Sequence, residues 1–349
     1  MSRYWTETVR RLTPYVPGEQ RAGADIVKLN TNENPYPPSP AVLEAIAATA
    51  PDALRRYPDP ESTALREALA RYHDVAPASV FVGNGSDEVL ALAFLGYFGE
   101  GRGLQYPEIS YSFYPVYCGL YGIAPRPVPL AADFGVDLAR FEPNTGGICF
   151  PNPNAPTGLA LAREEIRALL ERHTEHVLLV DEAYAEFGAE SVIPLVADYP
   201  NLLVSRTFSK GRSLAGLRLG AAFGAPELIE GLARVKNSFN SYPVDALAER
   251  AGVASLADER AHREAIERVV ATRGRLAEAL ETRGFRVLPS RANFVFARPP
   301  DGDAAGLFAR LGAAGVLVRH WSTPALVEWL RISVGTEADT ERLLTVIDA

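Results

Sequence analysis

Lys210 lies in Ser205-Arg-Thr-Phe-Ser-Lys-Gly-Arg-Ser-Leu-Ala-Gly-Leu-Arg218, where hydroxyls, glycines and arginines surround one amine. Such a setting suits an anionic ligand, and burial beside cations drives an amine towards its neutral, nucleophilic form. We therefore read Lys210 as a Schiff-base lysine. A lone Ser-Lys pair is more often a solvated residue in a polar turn, so the reading depends on its surroundings. The apolar run from Leu202 to Val204 precedes it and Leu219 to Phe223 follows, which predicts a loop between two buried strands.

Four other stretches carry groups of use to the same chemistry. Gly83-Asn-Gly85-Ser86-Asp87-Glu88 follows an apolar run and opens a helical pattern, so free backbone N–H groups and the Ser86 hydroxyl can hold a phosphate. A capped structural turn has the same letters. Tyr111, in Tyr106-Pro-Glu-Ile-Ser-Tyr111-Ser-Phe-Tyr114-Pro, offers a ring on which a flat heterocycle can stack, or else a core aromatic. Asn152-Pro-Asn154-Ala-Pro156-Thr-Gly158 presents two amides on a stiff turn. Asp181-Glu-Ala-Tyr184 closes the run Val177 to Val180, and a carboxylate in that position is costly unless paired. A protonated ring nitrogen would pair it. His173 and His176 have no third ligand near them in sequence, so no metal site is expected.

These groups need a frame, and the bulk properties allow one. The chain has 349 residues, enough for a large domain and a smaller one. Its net charge of −8 is dispersed without a basic block, which argues against nucleic acid and anionic membranes as partners. Cys118 and Cys149 are the only cysteines, both in apolar surroundings, and no leader-like or membrane-spanning run occurs; a cytoplasmic location is expected. Residues 1–40 are dense in Pro and Asn and read as an extended arm packing with the small domain. Residues 41–245 alternate strands and helices, which implies a mostly parallel sheet with sites beyond the carboxyl ends of its strands. Residues 246–349 turn to long charged amphipathic helices, from Ala246 to Arg283, followed by short strands in an α+β pattern.

The motifs Asn-x-Pro-Thr-Gly, Asp-Glu-Ala-Tyr and Ser-Lys-x8-Arg, in this order, resemble fold-type-I pyridoxal-phosphate aminotransferases. More narrowly, Leu12-Thr-Pro-Tyr15, Leu29-Asn-Thr-Asn-Glu-Asn-Pro35, Arg56-Tyr-Pro58, Arg206-Thr-Phe-Ser-Lys210 and Leu330-Arg-Ile-Ser-Val-Gly335 resemble the histidinol-phosphate aminotransferase family. The resemblance implies an α/β fold-type-I homodimer with pyridoxal 5′-phosphate as cofactor. It makes Lys210 the covalent anchor and proton shuttle, Asp181 the partner of the pyridine nitrogen, and Tyr184 a ligand of the phenolic oxygen. Gly85, Ser86, Asp87, Thr207, Ser209 and Arg218 would form the phosphate cup, Tyr57 would reach in from the other subunit, and Tyr111 would stack on the ring. Ala155 stands where the family usually has Asn, so the amide contact passes to Asn154. Tyr15, Asn32, Arg319 and Arg331 would read the substrate, with arginine forks suited to phosphate and carboxylate alike. The implied reaction is transamination between L-histidinol phosphate and 2-oxoglutarate in histidine biosynthesis. An aromatic amino-acid aminotransferase or a threonine-phosphate-type decarboxylase is the alternative on this scaffold, and a non-catalytic cofactor-binding regulator the alternative of another class.

Overall fold

A computed structural model describes every residue except Met1, Ala22, Ala24 and Glu100. Its largest sheet has seven strands, in spatial order Val80–Asn84, Leu219–Gly224, Leu202–Thr207, Leu178–Asp181, Gly147–Pro151, Leu104–Pro107 and Pro125–Val128. All neighbours are parallel except Leu219–Gly224, which runs antiparallel to both of its partners. Central strands begin in apolar runs such as Leu178 to Val180 and Leu202 to Val204 because both faces are covered, and alternation along each strand sends side chains to two cores. Leu178, Val180, Leu202 and Val204 enter one core with Leu65 and Phe150. Leu179 and Leu203 enter the other with Phe94 and Tyr114.

The pairing directions decide where the site can be. Val80–Asn84 is antiparallel to a strand that is itself antiparallel to Leu202–Thr207, so Asn84 and Thr207 end at the same edge. Pro151 and Asp181 end there too. The loops carrying Gly85 to Asp87, Tyr111, Asn154, Tyr184 and Lys210 therefore share one edge of the sheet.

The C-terminal part builds a four-stranded antiparallel sheet, ordered Arg319–His320, Leu330–Ser333, Phe294–Arg298 and Arg286–Val287, over a separate core with Leu276, Val295, Ile332 and Leu343. The helices read from Ala246 to Arg283 are Ala246–Ala257 and Glu259–Thr282. Asp258 divides them: its side chain accepts from Ala261 N at 3.2 Å and caps the second helix. The N-terminal arm is less irregular than its composition suggests. Thr6 caps a short helix, Glu7–Arg11, and Val27–Lys28 pairs in parallel with Val316–Leu317. The edge strand Pro125–Val128 escapes sequence reading because its two prolines are tolerated only where one side of the strand is unpaired. Among the described residues no helix is long and apolar enough to cross a membrane.

Candidate active site

The chain has three lysines, and their partners separate them. Lys28 is paired with Glu33. Lys236 is buried against Pro60 O at 2.6 Å and Glu61 at 3.2 Å. Lys210 has no carboxylate partner among the described residues; its Nζ donates to Thr31 O at 3.0 Å and lies 5.8 Å from the Tyr184 ring centroid. Burial lowers its pKa from 10.5 to about 8, helped by the Arg331 and Arg218 charges and opposed by Glu33 and Asp87. The amine is thus held where it can gain or lose a proton near neutrality.

Asp181 ends its strand only 4 % exposed. Ser205 Oγ and Ala183 N donate to Oδ1 at 2.9 and 3.2 Å, and the fully buried Tyr114 donates its hydroxyl to Oδ2 at 3.3 Å. Burial nevertheless pushes the carboxyl up to about 6; the three donors pull it down, and Asp87 adds a like charge. The site therefore holds a carboxylate that would gain from one more positively charged donor. Tyr184, three residues on, has a phenol raised by burial, and its oxygen accepts from Asn32 Nδ2 at 3.0 Å.

On the neighbouring loops, Ser209 N donates to Thr207 Oγ1 at 3.1 Å, and Arg218 NH1 donates to Ser209 Oγ at 3.4 Å. Arg218 NH2 also meets Asp87 Oδ2 at 3.2 Å, while Tyr111 donates its hydroxyl to Asp87 Oδ1 at 2.9 Å. Gly85 has φ +77°, and a Cβ there would stand 2.6 Å from Arg218 NH2, so only glycine lets the arginine lie over the start of the helix Gly85–Ala93. An anion in this cup meets Asp87 as well as Arg218, and the helix N–H groups supply the remaining attraction.

Arg331 and Arg319 are register partners on adjacent strands. Arg331 NH2 donates to Asn30 O at 2.7 Å, its Nε is buried without a partner, and burial and the Arg319 charge lower its pKa. Tyr15 stacks on Phe113 at 4.7 Å, and its hydroxyl is among the groups acting on Arg331. Asn32, buried and at φ 57°, joins the two sheets: Ser333 Oγ donates to its Oδ1 at 2.6 Å while its Nδ2 serves Tyr184.

Residues 24–347 match the family described as aminotransferase class I and II. The histidinol-phosphate aminotransferase of Chromohalobacter salexigens is 56 % identical over 350 residues, covering 100 % of this chain and 99 % of that one. Histidinol-phosphate aminotransferase 1 of Bordetella parapertussis is 56 % identical, covering 99 % and 98 %. Among solved structures, histidinol-phosphate aminotransferase from Sinorhizobium meliloti in complex with pyridoxal-5′-phosphate superposes with a TM-score of 0.89 at 27 % identity, covering 100 % of this chain and 98 % of that one. The chain belongs to the class I and II aminotransferase family.

The aminotransferase site fits pyridoxal phosphate on its donor set: an anion cup at Gly85 and Arg218, a buried carboxylate at Asp181, and an amine without a carboxylate partner at Lys210. Two expected residues stand apart from that arrangement. Tyr57 is 82 % exposed and stacks on Tyr242 at 4.6 Å. Asn154 is buried, but its amide N–H groups go to Ile109 O at 3.0 Å and Thr157 Oγ1 at 3.3 Å, leaving Oδ1 without a partner. As placed, it offers an acceptor rather than the donor that a phenolic oxygen needs. Metal-ligand clusters are absent among the described residues, and His173 instead accepts from Asn144 N at 3.1 Å. Sequence reading did not single out Thr31, Asn34, Ser205 or Tyr114 as site residues, although each stands in a quoted motif. Asn34 Nδ2 donates to the carbonyls of Lys210 and Gly211, both at 3.2 Å, and so pins the lysine loop.

Proposed function

We propose that this protein is a pyridoxal-phosphate-dependent aminotransferase that moves the amino group of L-histidinol phosphate to 2-oxoglutarate, giving imidazole-acetol phosphate and glutamate in histidine biosynthesis. The observation that carries the substrate assignment is the pair Arg319 and Arg331, adjacent cations without a carboxylate partner among the described residues, of which Arg331 is close enough for its charge to act on Lys210. Histidinol phosphate has a distal phosphate and no α-carboxylate, whereas glutamate has two carboxylates, and arginine forks accept both kinds of anion. The named relatives above, at 56 % identity over nearly the whole chain, support the same substrate.

When bound, pyridoxal phosphate supplies a carbonyl for the donor amine and a ring that accepts electrons from the adjacent carbon. The chain does the rest. Lys210 anchors the cofactor and carries the proton to and from that carbon, Asp181 keeps the ring nitrogen protonated, and Tyr184 holds the phenolic oxygen, while Asn32 orients Tyr184 on the substrate side. Ser86, Thr207, Ser209 and Arg218 bind the cofactor phosphate, with Gly85 making room and Tyr111 stacking on the ring. Arg331 takes the distal anion of either substrate, while Arg319 and Tyr15 serve the phosphate. In this reading residues 41–245 hold the cofactor, residues 1–40 and 246–349 close over the substrate, and Tyr57 completes the site of a second copy in a cytoplasmic homodimer.

Single-turnover bleaching of the cofactor absorbance tests this, with histidinol phosphate, glutamate and phenylalanine as separate donors. Arg319→Ala should slow the histidinol-phosphate reaction about tenfold to a hundredfold, the worth of a charge-assisted contact, and glutamate much less. Faster bleaching by phenylalanine than by histidinol phosphate would transfer the protein to aromatic substrates.

A further inference from the structure

Arg319 and Arg331 stand directly opposite each other on an antiparallel pair, an arrangement of like charges that costs stability. Neither is in an ion pair among the described residues. What they share is Trp321, whose ring centroid lies 5.7 Å from the guanidinium carbon of each. An indole face attracts cations through its quadrupole, so this one ring offsets part of the repulsion between them. The ring is itself anchored, packing edge-on to Phe296 at 6.4 Å, and Phe296 stacks on Trp329 at 4.8 Å.

The two arginines depend on the indole unequally. Arg331 also donates to Asn30 O at 2.7 Å and lies 5.4 Å from the Phe294 ring. Arg319 donates no hydrogen bond among the described residues, and Trp321 is the ring it faces. Loss of the indole therefore frees Arg319 while leaving Arg331 held.

We infer that Trp321 is a specificity-determining residue, which sets the preference for a phosphate over a carboxylate by holding Arg319 beside Arg331. This rests on the assignment of Arg319 to the substrate phosphate. The occupant it selects is a tetrahedral dianion able to bridge both guanidinium groups; a carboxylate engages Arg331 alone. Trp321 takes no part in bond making and acts through the arginine.

The test measures inorganic phosphate as an inhibitor competitive with histidinol phosphate, and the two half-reactions separately, in holoenzyme carrying Trp321→Leu, Trp321→Phe or Arg319→Ala. Trp321→Leu should weaken phosphate binding about threefold to thirtyfold, the range of a cation–π contact, and leave the glutamate half-reaction within about twofold. Trp321→Phe keeps a weaker quadrupole and should fall between, and it serves alone if the leucine variant does not fold. Equal losses for phosphate and glutamate would assign Trp321 a merely structural role and overturn the inference. Unchanged phosphate inhibition in the Trp321 variants, with a clear loss in Arg319→Ala, would overturn it while sparing the substrate assignment. Unchanged inhibition in Arg319→Ala as well would remove the assignment of Arg319 and the inference with it.

Discussion

Asp181→Asn should stabilise the cofactor-free protein at alkaline pH while impairing the loaded one. The carboxyl moves from 3.8 to about 6 because burial outweighs three hydrogen-bond donors. A carboxyl whose folded pKa is raised favours folding fully below the unfolded value, and that benefit is lost as pH rises through the folded value. Keeping Asp181 ionised at pH 8 therefore costs on the order of 3 kcal/mol. By pH 5 about half of that cost is already present, so the difference between about pH 5 and about pH 8 comes to roughly 1.4 kcal/mol. Asparagine does not titrate, and its amide oxygen can still accept from Ser205 Oγ and Ala183 N, which now reach Oδ1 at 2.9 and 3.2 Å. Its amide nitrogen faces the Tyr114 hydroxyl, whose oxygen can accept in place of donating. Urea unfolding of cofactor-free wild type and variant at the two pH values should show the variant's advantage growing by roughly 1.4 kcal/mol. With pyridoxal phosphate present the order should reverse near pH 8, because only the carboxylate pairs with a protonated ring nitrogen. A stability difference independent of pH would refute the claim that Asp181 is held as a costly buried anion awaiting a cation.

For Lys210, lowering from 10.5 to about 8 raises the neutral fraction at pH 7 about three-hundred-fold. Borohydride-trapped labelling of apoprotein by pyridoxal phosphate should climb with pH, reach half its maximum near 8 and level off about one unit above, and it should vanish in Lys210→Ala. Label on Lys28 or Lys236, or a half-maximum only above about 10, would sink the assignment. Tyr57 should act across a subunit boundary: if Tyr57→Phe is clearly impaired alone, mixing it with Lys210→Ala should restore activity through hybrids with one intact site. No recovery after proven subunit exchange would return Tyr57 to an ordinary surface role.

Local chemistry was more legible in the sequence than the contacts that tune it. Lys210, Asp181 and Gly85 stand at strand ends, and strands buried on both faces announce themselves as uninterrupted apolar runs such as Leu178 to Val180. Once those runs alternate with helices, the position of the site follows from sheet architecture alone. The prolines of Pro125–Val128 hid an edge strand, and the Pro- and Asn-rich composition of the N-terminal arm hid the pairing of Val27–Lys28. Neither feature has a period to read. Contacts between groups far apart in the chain were out of reach for the same reason: Tyr114 on Asp181 spans 67 positions, and Thr31 on Lys210 spans 179.

The segment from Leu29 to Asn34 shows why that limit matters to function. Leu29 N donates to Leu317 O at 2.7 Å in the C-terminal part, and Asn34 Nδ2 donates to the lysine loop at 3.2 Å. Between them, the Asn30 carbonyl holds Arg331, the Thr31 carbonyl holds Lys210, and the Asn32 side chain holds Tyr184 and Ser333. Six residues without regular structure thus connect Arg331 to the amine of Lys210 and the phenol of Tyr184. A string of asparagines reads as a loop by propensity, yet the carbonyls of Asn30 and Thr31 and the side chains of Asn32 and Asn34 here engage different parts of the site. On the proposed reading, an anion drawing on Arg331 competes with the Asn30 carbonyl for the same guanidinium, so substrate binding would act on the stretch that also carries the partner of Lys210. On the proposed reading, the stretch that resists regular structure couples recognition of the substrate to the amine that would move its proton.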